Sequence, residues 1–223
     1  MPPSPDAAPA PSADAAPRAS RAAHGAPRGA KRGRPGYDQA TVLRIAVEAF
    51  TEFGYDATSM GMLAERLGIS KSAIYHHVPS KVEILRLALD SALAPLEAVF
   101  DAAGSGSERP AVERLREAVA GTLRVLFSRQ DSVTLLLRLR GNSEVELAAM
   151  QRRRGLDRRA AELVAQAQAQ GSVRSDLDAR TVGRTLFGTV NSLVEWYRPG
   201  GPVSEAEAER TIVAMLFDGL VPR

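Results

Sequence analysis

The chain of 223 residues contains no cysteine, which removes disulfides and thiolate metal sites and fits a reducing, cytoplasmic setting. Aromatic residues are scarce at 5%, and an alanine-rich composition favours helix. No apolar run approaches the roughly 18 residues needed to span a bilayer, and the N-terminus lacks the apolar stretch of a signal peptide, so no membrane partner is expected. Histidine occurs only three times, at His24, His76 and His77. Neighbours on a helix point about 100° apart, so the adjacent pair cannot act as the usual i,i+4 metal ligands. Gly-x-Ser-x-Gly, His-Glu-x-x-His, phosphate-loop and dinucleotide fingerprints are all missing. Neither a catalytic centre nor a metal or cofactor is expected.

What is present divides unevenly. Residues 1–36 carry Arg18, Arg21, Arg28, Lys31, Arg32 and Arg34 against Asp6 and Asp14, a net of +4, whereas the remaining 23 basic and 24 acidic residues come to −1. Proline and alanine dominate this stretch, and almost no large apolar side chain offsets the entropy of ordering, so it reads as a disordered basic tail. Lys31-Arg32-Gly33-Arg34-Pro35-Gly36 has the composition of an AT-hook core. Two readings stay open: Arg32 and Arg34 as a minor-groove arm, or a non-specific solubilising tail.

From Asp38 onward apolar residues recur at helical spacing and nothing alternates with period two, which predicts an all-α chain. Val42, Ile45, Ala46, Ala49, Phe50 and Phe53 form one stripe, with Asp38 as cap and Gly54 as stop. Thr58 is placed to cap the next helix, whose stripe is Met60, Leu63, Ala64 and Leu67. Gly68 ends it, and Ser70 caps a short helix, Lys71 to His77. Ser80, with Glu83 in a capping box, starts a fourth helix running toward Phe100. After the break at Gly104-Ser105-Gly106-Ser107, helical spacing resumes in Val112 to Phe127, Val133 to Leu139, Val145 to Ala169 and Thr181 to Tyr197, and Ser204 with Glu207 opens a last helix. The expected division is a tail at 1–36, a small helical domain at 37–89 and a larger one at 90–223.

The stretch Thr58 to Lys81 organises the rest. Its second helix docks by Ile74 and Val78 and turns Lys71, Ser72, Tyr75, His76 and His77 outward. A short helix held by its neighbour, with donors on its free side, suits insertion into a DNA major groove. By spacing alone, it also suits a helical hairpin in any small bundle.

The residues themselves carry a resemblance. Phe50-x-x-Phe53-Gly54-Tyr55-Asp56-Ala57-Thr58-Ser59, Leu63-Ala64-x-x-Leu67-Gly68-Ile69-Ser70-Lys71, Ile74-Tyr75-x-His77-Val78 and Ser80-Lys81 resemble the N-terminal domain of TetR-family transcriptional regulators. The resemblance implies that Tyr75, His77 and Lys81 contact phosphates of double-stranded DNA, with Thr58 beside them. It implies that Lys71, Ser72, Ala73 and His76 face base edges. It also implies a homodimer formed through the last two helices, and a small-molecule effector in the larger domain that releases DNA. The leucine- and alanine-rich helices around Leu123, Phe127, Leu135, Leu139, Phe187 and Trp196 are candidates for an apolar effector cavity or for ordinary core. Leu186 to Gly201, which includes Asn191, resembles the signature of a subgroup that senses acyl-coenzyme A thioesters, phenylacetyl-coenzyme A among them. Arg152, Arg153, Arg154, Arg158 and Arg159 crowd one helix, either as phosphate ligands or as a solvated face. The reading is a ligand-responsive transcriptional repressor; the alternative is a helical adaptor that binds RNA or protein.

Overall fold

The computed structural model describes residues 38–104 and 108–219. The tail with Arg32 and Arg34 lies outside the described residues, as does Leu220. Among the described residues every regular element is a helix. Helix α1, Gln39–Phe53, starts where Asp38 Oδ1 accepts the Thr41 N–H at 2.8 Å. Hydrogen bonds from Thr41 hold the Asp38 carboxyl below the usual carboxylate range. Val42, Ala46, Val47, Ala49 and Phe50 face inward. Phe53, expected in the same stripe, is 47% exposed, with the Arg66 guanidinium 5.3 Å over its ring. It sits on the last turn of α1, at the rim of a cleft, where nothing larger covers it.

Helix α2, Met60–Leu67, is capped by Ser59, not Thr58: Ser59 Oγ accepts the Met62 N–H at 3.2 Å. Thr58 is buried, and its hydroxyl donates to the Gly54 carbonyl at 2.8 Å. Threonine's methyl favours the inside, which leaves the capping position to the smaller, exposed serine. Gly68 takes φ +64°, the left-handed conformation that lets the chain turn without Cβ strain. Helix α3, Lys71–His77, follows, with Ser70 Oγ accepting the Ala73 N–H at 3.2 Å. Ile74 and Val78 are fully buried beneath it.

Helix α4, Lys81–Gly104, links these short helices to the rest. It packs on α1 and also on α5, Ala111–Ser128, α6, Gln130–Leu137, and α7, Glu144–Ala169. Pro95 lies inside α4. It removes the N–H that would bond the Ser91 carbonyl and weakens the rod there. Ser91 Oγ instead ties α4 to α6, 2.8 Å from Ser132 Oγ. Arg152 of α7 reaches across the break. Its guanidinium bonds both Glu97 oxygens at 2.8 Å and also pairs with Asp90, so carboxylates on either side of Pro95 share one cation. The continuous helix expected from Thr181 to Tyr197 is interrupted. Helix α8, Ala179–Asn191, stops at Ser192, whose hydroxyl donates back to the Thr189 carbonyl at 2.7 Å, and α9, Leu193–Trp196, begins after it. Helix α10, Glu205–Asp218, is capped by Ser204 and packs on α5 and α8.

The α4–α5 contact depends on a missing side chain: a Cβ on Gly121 would lie 2.8 Å from Val99 Cγ1, and a β-branched neighbour yields poorly. We expect Gly121→Ala to lower stability by about 1–3 kcal/mol in denaturant unfolding, despite its better helix propensity.

Candidate nucleic-acid interface and effector cavity

The outward face of α3 presents Lys71, Ser72, Tyr75 and His76, with Ala73 and His77 half-buried at its edges. Tyr75 is 45% exposed although it is a large aromatic. Among the described residues none of the Lys71, Tyr75, His76 or His77 side chains has a hydrogen-bond or ion-pair partner, so the face carries donors with no internal task. Ser72 Oγ is 2.9 Å from Ser70 Oγ at the start of the helix.

Two of the residues expected to face DNA serve the structure of the head, the unit formed by α1, α2, α3 and the start of α4. The Thr58 hydroxyl is turned inward, as described above. Lys81 Nζ donates to the carbonyls of Tyr55, Asp56 and Thr58 at 2.9, 3.4 and 2.8 Å, and lies 4.3 Å over the Tyr55 ring. An ammonium has three protons, and three carbonyls account for them. Lys81 thus fastens the start of α4 to the α1–α2 turn. Burial pushes the Tyr55 phenol up, with Asp56 and Glu146 adding to the effect.

The remaining helices, from the rest of α4 to α10, form the body, which holds a cavity of about 50 Å³ between α4, α5, α6, α7 and α8. Phe187 and Asn191, both expected there, line it. The other expected residues lie elsewhere. Leu123 is buried in packed core, Phe127 packs against Tyr197 with ring centroids 4.9 Å apart and planes tilted by 58°, and Leu135 and Leu139 line a separate cleft. Arg158 is exposed, and Trp196 is 50% exposed on α9. Sequence reasoning missed Leu96, Phe100 and Leu156, which share the apolar spacing of ordinary core and carry no separate signal, and it missed Thr122 and Asp157 as well. It also left Arg153 undistinguished among five arginines. Arg152 and Arg159 are tied to carboxylates of α4, whereas Arg153 lines the cavity, held by a bond from Nη1 to the Leu136 carbonyl at 3.2 Å.

Residues 42–88 match the bacterial regulatory proteins of the tetR family, and residues 108–220 match a tetracyclin repressor-like, C-terminal domain. The chain belongs to the TetR family of transcriptional regulators. A solved TetR-family regulator from Streptomyces coelicolor A3 is 45% identical, with a TM-score of 0.75 over 82% of this chain and 92% of that one. The transcriptional repressor KstR2 of Rhodococcus jostii (strain RHA1) is 30% identical over 190 residues, 80% of this chain and 89% of the repressor. AibR, solved in complex with isovaleryl coenzyme A and operator DNA, is 23% identical with a TM-score of 0.66, covering 80% of this chain and 97% of that one, a likeness of fold. As a TetR-family protein the chain is a DNA-binding transcriptional regulator, and its named relatives are regulators rather than enzymes. No described helix is long and apolar enough to cross a membrane.

The geometry of Lys81 gives a test. Lys81→Met should destabilise the head by about 2 kcal/mol, since it removes charge-assisted bonds to three carbonyls. It should also weaken binding to duplex DNA while leaving the slope of log K against log salt unchanged. A direct phosphate contact would reduce that slope by about 1.

Proposed function

We propose that the protein is a homodimeric repressor that binds a palindromic operator and is released by a small effector, an acyl-coenzyme A thioester. The observation that carries this reading is the unpartnered polar face of α3 above a fully buried Ile74 and Val78. In it residues 37–89 read DNA and residues 90–223 sense the effector and dimerise. Tyr75 and His77 hold phosphates, while Lys71, Ser72, Ala73 and His76 meet base edges. Arg32 and Arg34 add a minor-groove arm. A seven-residue helix covers few base pairs, so two heads on successive turns of DNA are needed for useful affinity. Helices α8 and α10 supply the dimer contact, with Val213, Met215, Leu216 and Phe217 only half-buried in the single chain.

The thioester assignment rests on the Leu186 to Gly201 signature and on the cavity's make-up, largely apolar walls with Thr122, Arg153, Asp157 and Asn191 as its polar groups. AibR adds that a protein of this fold takes such a ligand. Ligand sites of drug-sized molecules run to about 300–1,000 Å³, so a cavity of about 50 Å³ must swell to admit an acyl chain. Leu96, the residue after Pro95, and Val133, the residue after Ser132, both line it. Swelling therefore pushes α4 at its weakest point and strains the Ser91–Ser132 bond, which swings the head relative to the body. Only a modest preference of the ligand for the swung state is required.

On the DNA side, Tyr75→Phe should weaken every operator by a similar factor, roughly fivefold for one lost hydrogen bond, whereas Lys71→Ala should also relax preference at particular base pairs in binding-site selection. On the effector side, a titration series of acyl-coenzyme A esters, phenylacetyl-coenzyme A included, should release the operator in a mobility-shift assay. Release by an uncharged drug and by none of the thioesters would rule out the ligand class. Pro95→Ala restores the N–H, so it should keep operator affinity within about threefold yet raise the effector concentration needed for release at least about tenfold.

A further inference from the structure

A second and larger cleft, about 450 Å³, opens where the end of α1 faces the turn after α6. Phe50, Phe53 and Tyr55 form its apolar side, and Arg138 and Arg140 stand on the other. Its three carboxylates are engaged. Glu52 pairs with Arg66. Asp56 Oδ2 accepts from Asn142 Nδ2 at 3.1 Å, and Glu146, 5% exposed, accepts from the Asn142 backbone N–H at 2.5 Å. Neither the Arg138 nor the Arg140 guanidinium has a partner among the described residues, and the Thr51 hydroxyl on the cleft wall is shielded from solvent without a hydrogen bond. Asn142 offers Asp56 and Glu146 only neutral N–H donors, so their charges remain; the two guanidiniums are the charged groups of the cleft that keep unused hydrogen-bond donors, and they share it with aromatic rings.

We propose that this cleft is a second small-molecule site, distinct from the core cavity, for an organic anion with a flat apolar body and a phosphate or carboxylate group. Guanidinium forks match the two oxygens of either group, and the rings match the body. An inorganic ion would leave the aromatic side unused. Helix α6 is the wall between the two sites: its Leu135, with Leu139 just beyond its end, lines the cleft, and its Val133 and Leu136 line the cavity. An occupant bridges α1 of the head to the α6–α7 turn of the body and holds them together, whatever the core cavity binds.

The test is calorimetric titration of the full chain with 1-naphthyl phosphate, with 1-naphthol and inorganic phosphate as comparisons. Saturable binding of 1-naphthyl phosphate alone is expected, weakened at least tenfold by Arg138→Gln with Arg140→Gln and unchanged by Arg153→Gln in the core cavity. The Asn142 side-chain amide resonances should shift on adding 1-naphthyl phosphate and not on adding inorganic phosphate, a reading that needs no variant. The proposal is overturned by the absence of saturable binding, by equal binding of 1-naphthol, or by binding that follows Arg153 and not the arginine pair. A carboxylate probe, 1-naphthoate, then separates the two anion sources by its relative affinity.

Discussion

A helix of seven residues cannot hold itself together in water, because too few hydrogen bonds are closed to offset nucleation. The exposed polar face of α3 therefore depends on contacts beneath it. Ile74 and Val78 lie wholly in the core of the head, and burying two such side chains contributes on the order of 3–6 kcal/mol. Gly68 and Ser70 fix where the helix begins, and Lys81 locks the turn that α2 starts from. Because these groups carry the structure, Lys71, Tyr75, His76 and His77 are left free of it. That division of labour makes an exposed tyrosine tolerable on so small a helix.

The same logic extends along α4. A proline in the middle of a 24-residue helix opens one carbonyl and invites bending at Ser91. Arg152 acts as a splint, since its planar fork bonds Glu97 beyond the proline while its remaining amino group pairs with Asp90 before it. Hydrogen bonds from Arg152 hold the Glu97 carboxyl below its ordinary value. A depressed carboxylate lends stability above its unfolded pKa and loses it as pH falls through the folded one, so the splint is intact near neutrality and weakens in acid. The lever is stiffened by a contact that can be released, which a continuous helix would not provide.

Much of this was legible from residue order. The helix-turn-helix, its glycine stop, the Ser70 cap and the buried pair at Ile74 and Val78 follow from periodicity and capping chemistry. What escaped is decided by neighbours distant in sequence. Thr58 and Ser59 are both capable caps, and the burial of Thr58, with its hydroxyl bonded to the Gly54 carbonyl, leaves the position to Ser59. Lys81 reads as a surface lysine until the carbonyls of the α1–α2 turn, more than twenty residues earlier, are brought to it. Phe53 satisfies the spacing of the α1 stripe, but the stripe outruns the elements that could cover it. In the body, Leu123 and Leu156 obey the same apolar pattern, yet one is packed solid and the other borders a void. Trp196 follows a one-residue interruption at Ser192 that hydropathy does not register, and so faces solvent.

The body is closely packed around a void far smaller than a cofactor-sized ligand, so any occupant has to displace protein. Displacement follows the softest wall. Helices α5 and α7 are long and packed against one another, and α8 is pressed onto α7 so tightly that a Cβ on Gly183 would come within 3.3 Å of the Ala161 backbone nitrogen. The less constrained walls are α6, only eight residues long, and α4 at its proline. Both touch α1, so movement of either is felt by the head. In the proposed release, swelling of a void that lies between the eight-residue α6 and the proline-bearing α4 changes head orientation, with no dedicated signalling residue required.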